Sequence, residues 1–101
     1  MKLAAAYDKP SGEIFQELET SLFFRIYDIE NNRIVCSEVV GTMGSELADF
    51  LVMFEIDGLL CGNCSTETEA LLYDEGIQVF GGQSGECDEA VEKLLGGKIN
   101  G

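Results

Sequence analysis

Residues 22–40 have the sequence LFFRIYDIENNRIVCSEVV, and this stretch decides the fold. Successive side chains alternate over residues 23–28 with the period of two that indicates a β-strand. Residues 30–32 (ENN) follow as a turn, and residues 33–40 resume a β-rich run. Two such runs around an asparagine-rich turn predict an antiparallel hairpin.

Outside the hairpin, the sequence predicts strands that alternate with helices. A first strand at residues 2–7 (KLAAAY) is followed by a loop rich in turn residues. After the hairpin, the sequence predicts a helix capped by Ser45 and then a strand at residues 57–61. The next helix is predicted to begin with a Thr66/Glu69 capping box and to stop at Gly76, and a strand at residues 77–80 follows it. The last helix is predicted to start near Asp88 and to end at Gly96–Gly97.

This order of elements predicts the α/β class. Strands that alternate with helices in the second half of the chain imply crossover connections and a largely parallel sheet there. The hairpin supplies one antiparallel strand, so we expect a five-stranded mixed sheet with helices on its faces. A chain of 101 residues is near the commonest domain size, and residues 1–101 are expected to form a single domain.

The charge balance excludes several classes of function. Six basic residues stand against nineteen acidic ones, for a net charge of -13, and there is no histidine. Such a surface repels nucleic-acid phosphates and anionic lipid, so neither a nucleic acid nor a membrane is expected as a partner. The same surface favours cationic partners. It disfavours the binding of an anionic cluster, because nearby carboxylates would have to point away from the cluster.

A cytoplasmic location is expected from the absence of a targeting signal. The apolar run near the N-terminus, Leu3–Tyr7, is too short for the core of a signal peptide. Acidic residues interrupt the richest apolar stretch, 47–60, so no segment is expected to span a bilayer. The four cysteines are therefore expected to be reduced thiols, and Cys36, within a strand, is expected to lie in the core.

Four segments resemble one known family. They are KLAAAYD (2–8), FFRIYDIENNRI (23–34), LLCGNCSTETEALLYDEGIQVF (59–80) and CDEAVEKLLGGKI (87–99). By their order and spacing, the chain resembles the dinitrogenase iron–molybdenum cofactor biosynthesis family over nearly its whole length. The resemblance implies a three-layer α/β/α, ribonuclease H-like fold. It also implies a role in carrying nitrogenase cofactor or related clusters.

The resemblance also points to a ligand position before the hairpin. Members of the family typically carry a His-Phe-Gly element there, whose histidine is a favoured cluster ligand. Counting back without gaps from Phe24, the three positions in this chain are Glu17, Leu18 and Glu19. Glu17 thus stands at the histidine position, and a carboxylate suits a hard metal better than a thiometallate cluster.

A Cys-x-x-Cys motif, Cys61-Gly62-Asn63-Cys64, is the strongest candidate site in the sequence. It lies where a predicted strand ends and a helix begins, and ligands of open α/β sheets bind at the carboxyl ends of strands. The helix N-terminus is expected to lower the thiol pKa and favour the metal-binding thiolate. Two thiolates do not complete a tetrahedral zinc site, so Cys87, a carboxylate such as Glu17, or a second subunit would have to contribute.

These observations favour non-enzymatic binding or carriage of a metal or of an iron–sulfur or molybdenum-type cluster. The expected partner is a protein that donates or accepts the cluster, and the chain is expected to be a monomer or a homodimer. Two alternatives remain open. One is a scaffold or interaction domain of the same fold that has lost the site, and the other is a small dithiol redox protein.

Overall fold

The computed structural model describes residues 1–100, with side chains for residues 1–96. Its elements, in chain order, are β1 (Lys2–Ala6), a short 3-10 helix (Leu18–Thr20), β2 (Phe23–Glu30), β3 (Arg33–Gly41), α1 (Leu47–Met53), β4 (Gly58–Leu60), α2 (Thr66–Asp74), β5 (Gln78–Phe80) and α3 (Cys87–Asn100). The predicted order of strands and helices is confirmed. Within the described chain, no helix combines the length and apolar character needed to cross a bilayer.

The five strands form one mixed sheet in the order β3-β2-β1-β4-β5. β2 is antiparallel to both of its neighbours, β1 and β3, whereas β1, β4 and β5 are parallel to one another. The hairpin therefore contributes the single strand that runs against the other four, as predicted. This strand order and direction are those of the predicted ribonuclease H-like fold.

Helices cover both faces of the sheet, which gives three layers. Alternate residues of β1 face opposite sides: Ala4 and Ala6 pack in a core cluster with Phe50 and Leu51 of α1 and Leu72 of α2. The neighbouring positions of β1 pack in a second cluster, with residues of α3. Because β1 is central and buried on both faces, its sequence is continuously apolar rather than alternating.

The hairpin turn consists of two asparagines in the left-handed region. Asn31 has a φ of 53° and Asn32 a φ of 64°, and Glu30 pairs with Arg33 across the turn. Positive φ at both central positions belongs to the type I′ turn, whose twist matches that of paired strands. Asparagine tolerates this conformation better than other residues with a Cβ, so the turn residues fix where the hairpin reverses.

The predicted start of α1 and the predicted end of α3 are wrong. Ser45 is not the cap of α1, because the N-cap position is Glu46 and its side chain makes no capping hydrogen bond. α3 does not end at Gly96–Gly97 but runs on to Asn100. Glycine lowers helix propensity by about 1 kcal/mol but leaves helical dihedral angles fully accessible, so a glycine pair does not by itself end a helix.

Candidate functional site

The Cys61–Cys64 segment, called here the cysteine loop, lies between two other loops at the carboxyl ends of the parallel strands. On one side, the Asn63 N–H donates a 2.6 Å hydrogen bond to the carbonyl oxygen of Gln16, in the loop after β1. On the other side, the Gly62 carbonyl accepts a 2.7 Å hydrogen bond from the N–H of Gly82, in the loop after β5. Backbone bonds to both neighbours therefore fix the position of the cysteine loop.

Gly62 is required by the close approach of the loop after β1. A Cβ at this position would lie 2.5 Å from Oε1 and 2.9 Å from Cα of Gln16. Real Cβ atoms do not come so near to backbone atoms, so any larger residue would push the two loops apart. The role of the glycine in the motif is thus steric.

The two cysteines of the motif differ in their exposure. Cys61 has none of its surface exposed and lies in the core cluster beneath α1 and α2. Cys64 is half-buried at the edge of that cluster, and its thiol donates to the Ser65 carbonyl at 3.5 Å. The fold thus places both cysteines in the same apolar cluster, with Cys64 as the member that solvent reaches.

Burial and nearby carboxylates raise the pKa of both thiols. Burial raises the pKa of Cys61 to about 12, and the neighbouring Cys64, Glu19 and Glu69 act in the same direction. Burial also raises the pKa of Cys64, as do Glu19 and Glu69, while the neighbouring Cys61 opposes them. The expectation that the helix N-terminus would lower these pKa values is therefore wrong.

A carboxylate already occupies the N-terminus of α2. The N-cap is Ser65, whose hydroxyl accepts from the Thr68 N–H at 3.1 Å, so the predicted Thr66/Glu69 capping box is wrong by one residue. The Ser65 N–H donates to Oε2 of Glu19 at 2.9 Å, and this bond lowers the pKa of Glu19. Glu19 thus takes the place that the N3 carboxylate holds in a capping box. Its negative charge offsets the positive end of the helix beside the thiols.

Glu17 lies next to the motif. It forms an isolated parallel bridge with Asn63, and the Asn63 side-chain amide donates to Glu17 Oε1 at 3.4 Å. Both side chains are exposed to solvent. The sequence did not single out Glu19 or Gln16 as site residues, because only the folding of the first loop over the sheet brings them to the cysteines.

The remaining cysteines lie away from the motif. Cys87 is buried in the cluster on the opposite face of the sheet, where its thiol donates to the Ala6 carbonyl at 3.7 Å. Cys36 is exposed rather than buried, and its thiol donates to Asp28 Oδ2 at 3.0 Å, because β3 is an edge strand. Among the residues whose side chains are described, no three His, Cys, Asp or Glu side chains are grouped to hold a metal ion.

Solved structures of several proteins share this fold. PH0822 superposes with a TM-score of 0.88 at 22% identity, over 96% of this chain and 92% of that one. A protein from Methanocaldococcus jannaschii, provisionally named a dinitrogenase, gives 0.79 at 20% identity, over 97% and 90% of the two chains. A protein from Thermotoga, provisionally named NifB, gives 0.74 at 21% identity, over 96% and 89%.

The sequence itself matches a protein family, although no curated protein matches it. The match covers residues 1–97 and is to the family described as dinitrogenase iron-molybdenum cofactor. It spans all five strands and confirms the resemblance carried by the four sequence segments. This chain therefore belongs to the dinitrogenase iron-molybdenum cofactor family.

Proposed function

We propose that this chain binds or carries metal as cargo, as an ion or as an iron–sulfur or molybdenum-type cluster, and does not catalyse a reaction. Cys61 and Cys64 are the proposed ligands, and Gly62 and Asn63 are the residues that shape the loop around the cargo. A protein that donates or accepts the metal is the proposed partner. The single observation that carries the proposal is the placement of both cysteines in one loop that backbone hydrogen bonds hold on both sides at the carboxyl ends of the parallel strands.

The donor chemistry supports a soft metal. Thiolate sulfur selects copper(I), zinc and iron–sulfur clusters over hard cations such as magnesium. Glu17 borders the loop and is the proposed carboxylate ligand if the cargo needs a third donor. Cys87 would have to cross from the opposite face of the sheet to contribute. The two thiols are therefore the minimal site.

The same surroundings do not fit a large anionic cluster. Glu19 and Glu69 already raise the pKa of both thiols, which means that they oppose any added negative charge at the sulfurs. The family's typical histidine, a neutral donor, is replaced by the carboxylate of Glu17. The fit is therefore better for cationic cargo than for an iron–molybdenum-type cluster.

A second candidate function, dithiol redox chemistry, is favoured by the proximity of the two thiols, since neighbouring cysteines in a Cys-x-x-Cys motif can close a disulfide. The high thiol pKa values oppose it, because the thiolate is the attacking form. The scaffold alternative, in which the site is lost, is favoured by the lack of a third grouped donor among residues 1–96.

The test is elemental analysis together with ultraviolet–visible spectroscopy of protein purified without oxygen. Metal bound in a fixed ratio, with sulfur-to-metal charge-transfer bands that vanish in the Cys61→Ser, Cys64→Ser double variant, would support the proposal. Cys36→Ser is the matched control because that thiol is exposed on the edge strand, and it should leave the bands unchanged. A colourless, metal-free protein that also takes up no added metal would refute the proposal.

A further inference from the structure

We infer that the face of the molecule formed by α1 and α2 docks a basic amphipathic helix of a partner protein. This inference rests on the proposed function, since that helix would belong to the protein that donates or accepts the metal. It depends on three features of the described residues: two adjoining cavities with exposed apolar rims, lining charges that are all negative, and the continuity of this surface with the cysteine loop.

Two small cavities lie side by side where α1 begins. One has a volume of about 170 Å³ and lies between α1 and α2, with Leu47 and Leu71 in its lining. The other, of about 180 Å³, lies between α1 and the residues before β2, with Leu22 and Leu47 in its lining. Leu47 and Glu19 line both cavities, so the two form one groove, called here the α1 groove. Small-molecule pockets usually have about 300–1,000 Å³, so each cavity suits one apolar side chain rather than a small-molecule ligand.

The rims of the α1 groove expose apolar side chains to solvent. Leu71 is 61% exposed and Leu22 is 67% exposed, and Met43 is 93% exposed between Thr42 and Gly44, which line the second cavity. Burial of apolar surface drives most protein association, and fully covering one leucine strengthens binding by about tenfold or more. Two neighbouring cavities on one face are met by side chains one turn apart on a helix, which is the way amphipathic helices bind in grooves.

The charges of the α1 groove select the occupant. Glu19 and Glu46 are the charged residues that line the two cavities, and both are exposed. The Glu46 side chain is not used to cap α1. The sequence has no lysine or arginine at residues 34–92, which include both helices of this face. A basic helix is therefore attracted, whereas a second copy of this chain, with its net charge of -13, is repelled.

The α1 groove reaches the cysteine loop through Glu19. This residue lines both cavities, and its Oε2 accepts a 2.9 Å hydrogen bond from the N–H of Ser65, the neighbour of Cys64 in the chain. Leu47 and Cys64 also pack against the same core cluster. A helix in the groove would thus lie beside the more exposed cysteine of the motif. This continuity is the reason to assign the helix to the protein that donates or accepts the metal.

The test titrates the isotope-labelled full chain with a synthetic helical peptide of about 14 residues made of leucine and lysine, with its leucines on one face. One control peptide keeps the lysines and replaces the leucines with serine, and a second keeps the leucines and replaces the lysines with glutamate. The expected result is a Kd below about 100 μM at low salt, with both controls at least about tenfold weaker. Resonance shifts should centre on Ala48 and Thr68, which line the first cavity.

Variants of the chain test the two parts of the contact separately. Leu71→Ser should weaken binding of the leucine–lysine peptide by about tenfold. Glu46→Gln should weaken it by about threefold at low salt and by less in about 0.5 M salt. Val35→Ser is the matched control, because it replaces an exposed apolar side chain on β3, away from the groove, and should bind as the wild type does. Circular dichroism checks that each variant is folded.

The outcomes separate this inference from the proposed function. Shifts centred on α3 or β3, equal binding of either control peptide, or unchanged binding by Leu71→Ser would overturn the inference. Self-association that Leu71→Ser abolishes would also overturn it, because the occupant would then be a second copy. A protein that binds metal but not the peptide keeps the proposed function. A protein that binds the peptide but no metal loses that function and the donor role of the partner, while the docking surface stands.

Discussion

Replacement of Gly62 with alanine tests whether the cysteine loop is pressed against the loop after β1. The added Cβ would lie 2.5 Å from Oε1, 2.7 Å from Cδ and 2.9 Å from Cα of Gln16. The side-chain atoms of Gln16 can rotate away, but its backbone cannot, because the Asn63 N–H ties the Gln16 carbonyl at 2.6 Å. The two loops must therefore separate to admit the methyl group.

The expected loss of stability follows from two opposing contributions. Overpacking a closely packed site costs about 1–3 kcal/mol. Alanine also restricts the unfolded chain relative to glycine, which offsets about 0.4–1 kcal/mol. Gly62 lies outside the left-handed region, so no conformational strain adds to the steric cost. We therefore expect the free energy of unfolding to fall by about 1–2 kcal/mol, which corresponds to a Tm lower by about 4–16 °C for a domain of this size.

Urea unfolding followed by circular dichroism measures this change. The matched control is Gly81→Ala, since a Cβ there would meet only the Gly62 carbonyl oxygen, at an ordinary 3.7 Å. The free energy of unfolding of Gly81→Ala should equal that of the wild type or exceed it by up to about 1 kcal/mol. Adding Gln16→Ala to Gly62→Ala should restore only part of the loss, because the new methyl group still meets the backbone of residue 16. The reasoning is refuted if Gly62→Ala is as stable as Gly81→Ala.

Three further predictions follow from the same loop. Ser65→Ala should lower the free energy of unfolding by about 1 kcal/mol while Thr66→Ala leaves it nearly unchanged, and equal urea midpoints would contradict the observed cap. Glu19→Gln should speed iodoacetamide alkylation of Cys64 at pH 8, since it removes a charge that raises the pKa of that thiol, and an unaltered rate would argue against this. Burial raises the pKa of Cys61 from 9.0 to about 12, so the folded state keeps a proton that the unfolded state releases. The free energy of unfolding should therefore fall as the pH rises from 9 to 12, and it should fall less steeply in Cys61→Ala. Identical dependence of the unfolding free energy on pH in the two proteins would contradict the shift.

The fold was largely predictable because its signals are local. The hairpin depends on Asn31 and Asn32, whose side chains tolerate positive φ, and on flanking residues with a period of two. The helices and strands of the second half follow from apolar spacing and from turn residues such as Gly76, which adopts a φ of 81°. The boundaries were less certain, because a cap depends on which side chain reaches the first free N–H group. For α2 that residue is Ser65.

The candidate site was predictable only in part. The sequence alone places Cys61 at the end of a strand and Cys64 before a helix, three residues apart, and this spacing allows their sulfurs to meet. It could not show that Cys36 is exposed, because only the strand order makes β3 an edge. Nor could it show that Cys87 faces the other side of the sheet, because that depends on the face that α3 covers.

The amino-acid sequence by itself determined the class of fold, the family and the pair of thiol donors, Cys61 and Cys64, because each depends on the spacing of residues that are close along the chain. Only the tertiary structure decided the chemistry of that pair. Folding buries Cys61 and brings Glu19, more than forty positions away, onto the N-terminus of α2, 2.9 Å from the Ser65 N–H. Thiol ionisation depends on burial and on charges close in space, and neither is visible in the spacing of residues along the chain.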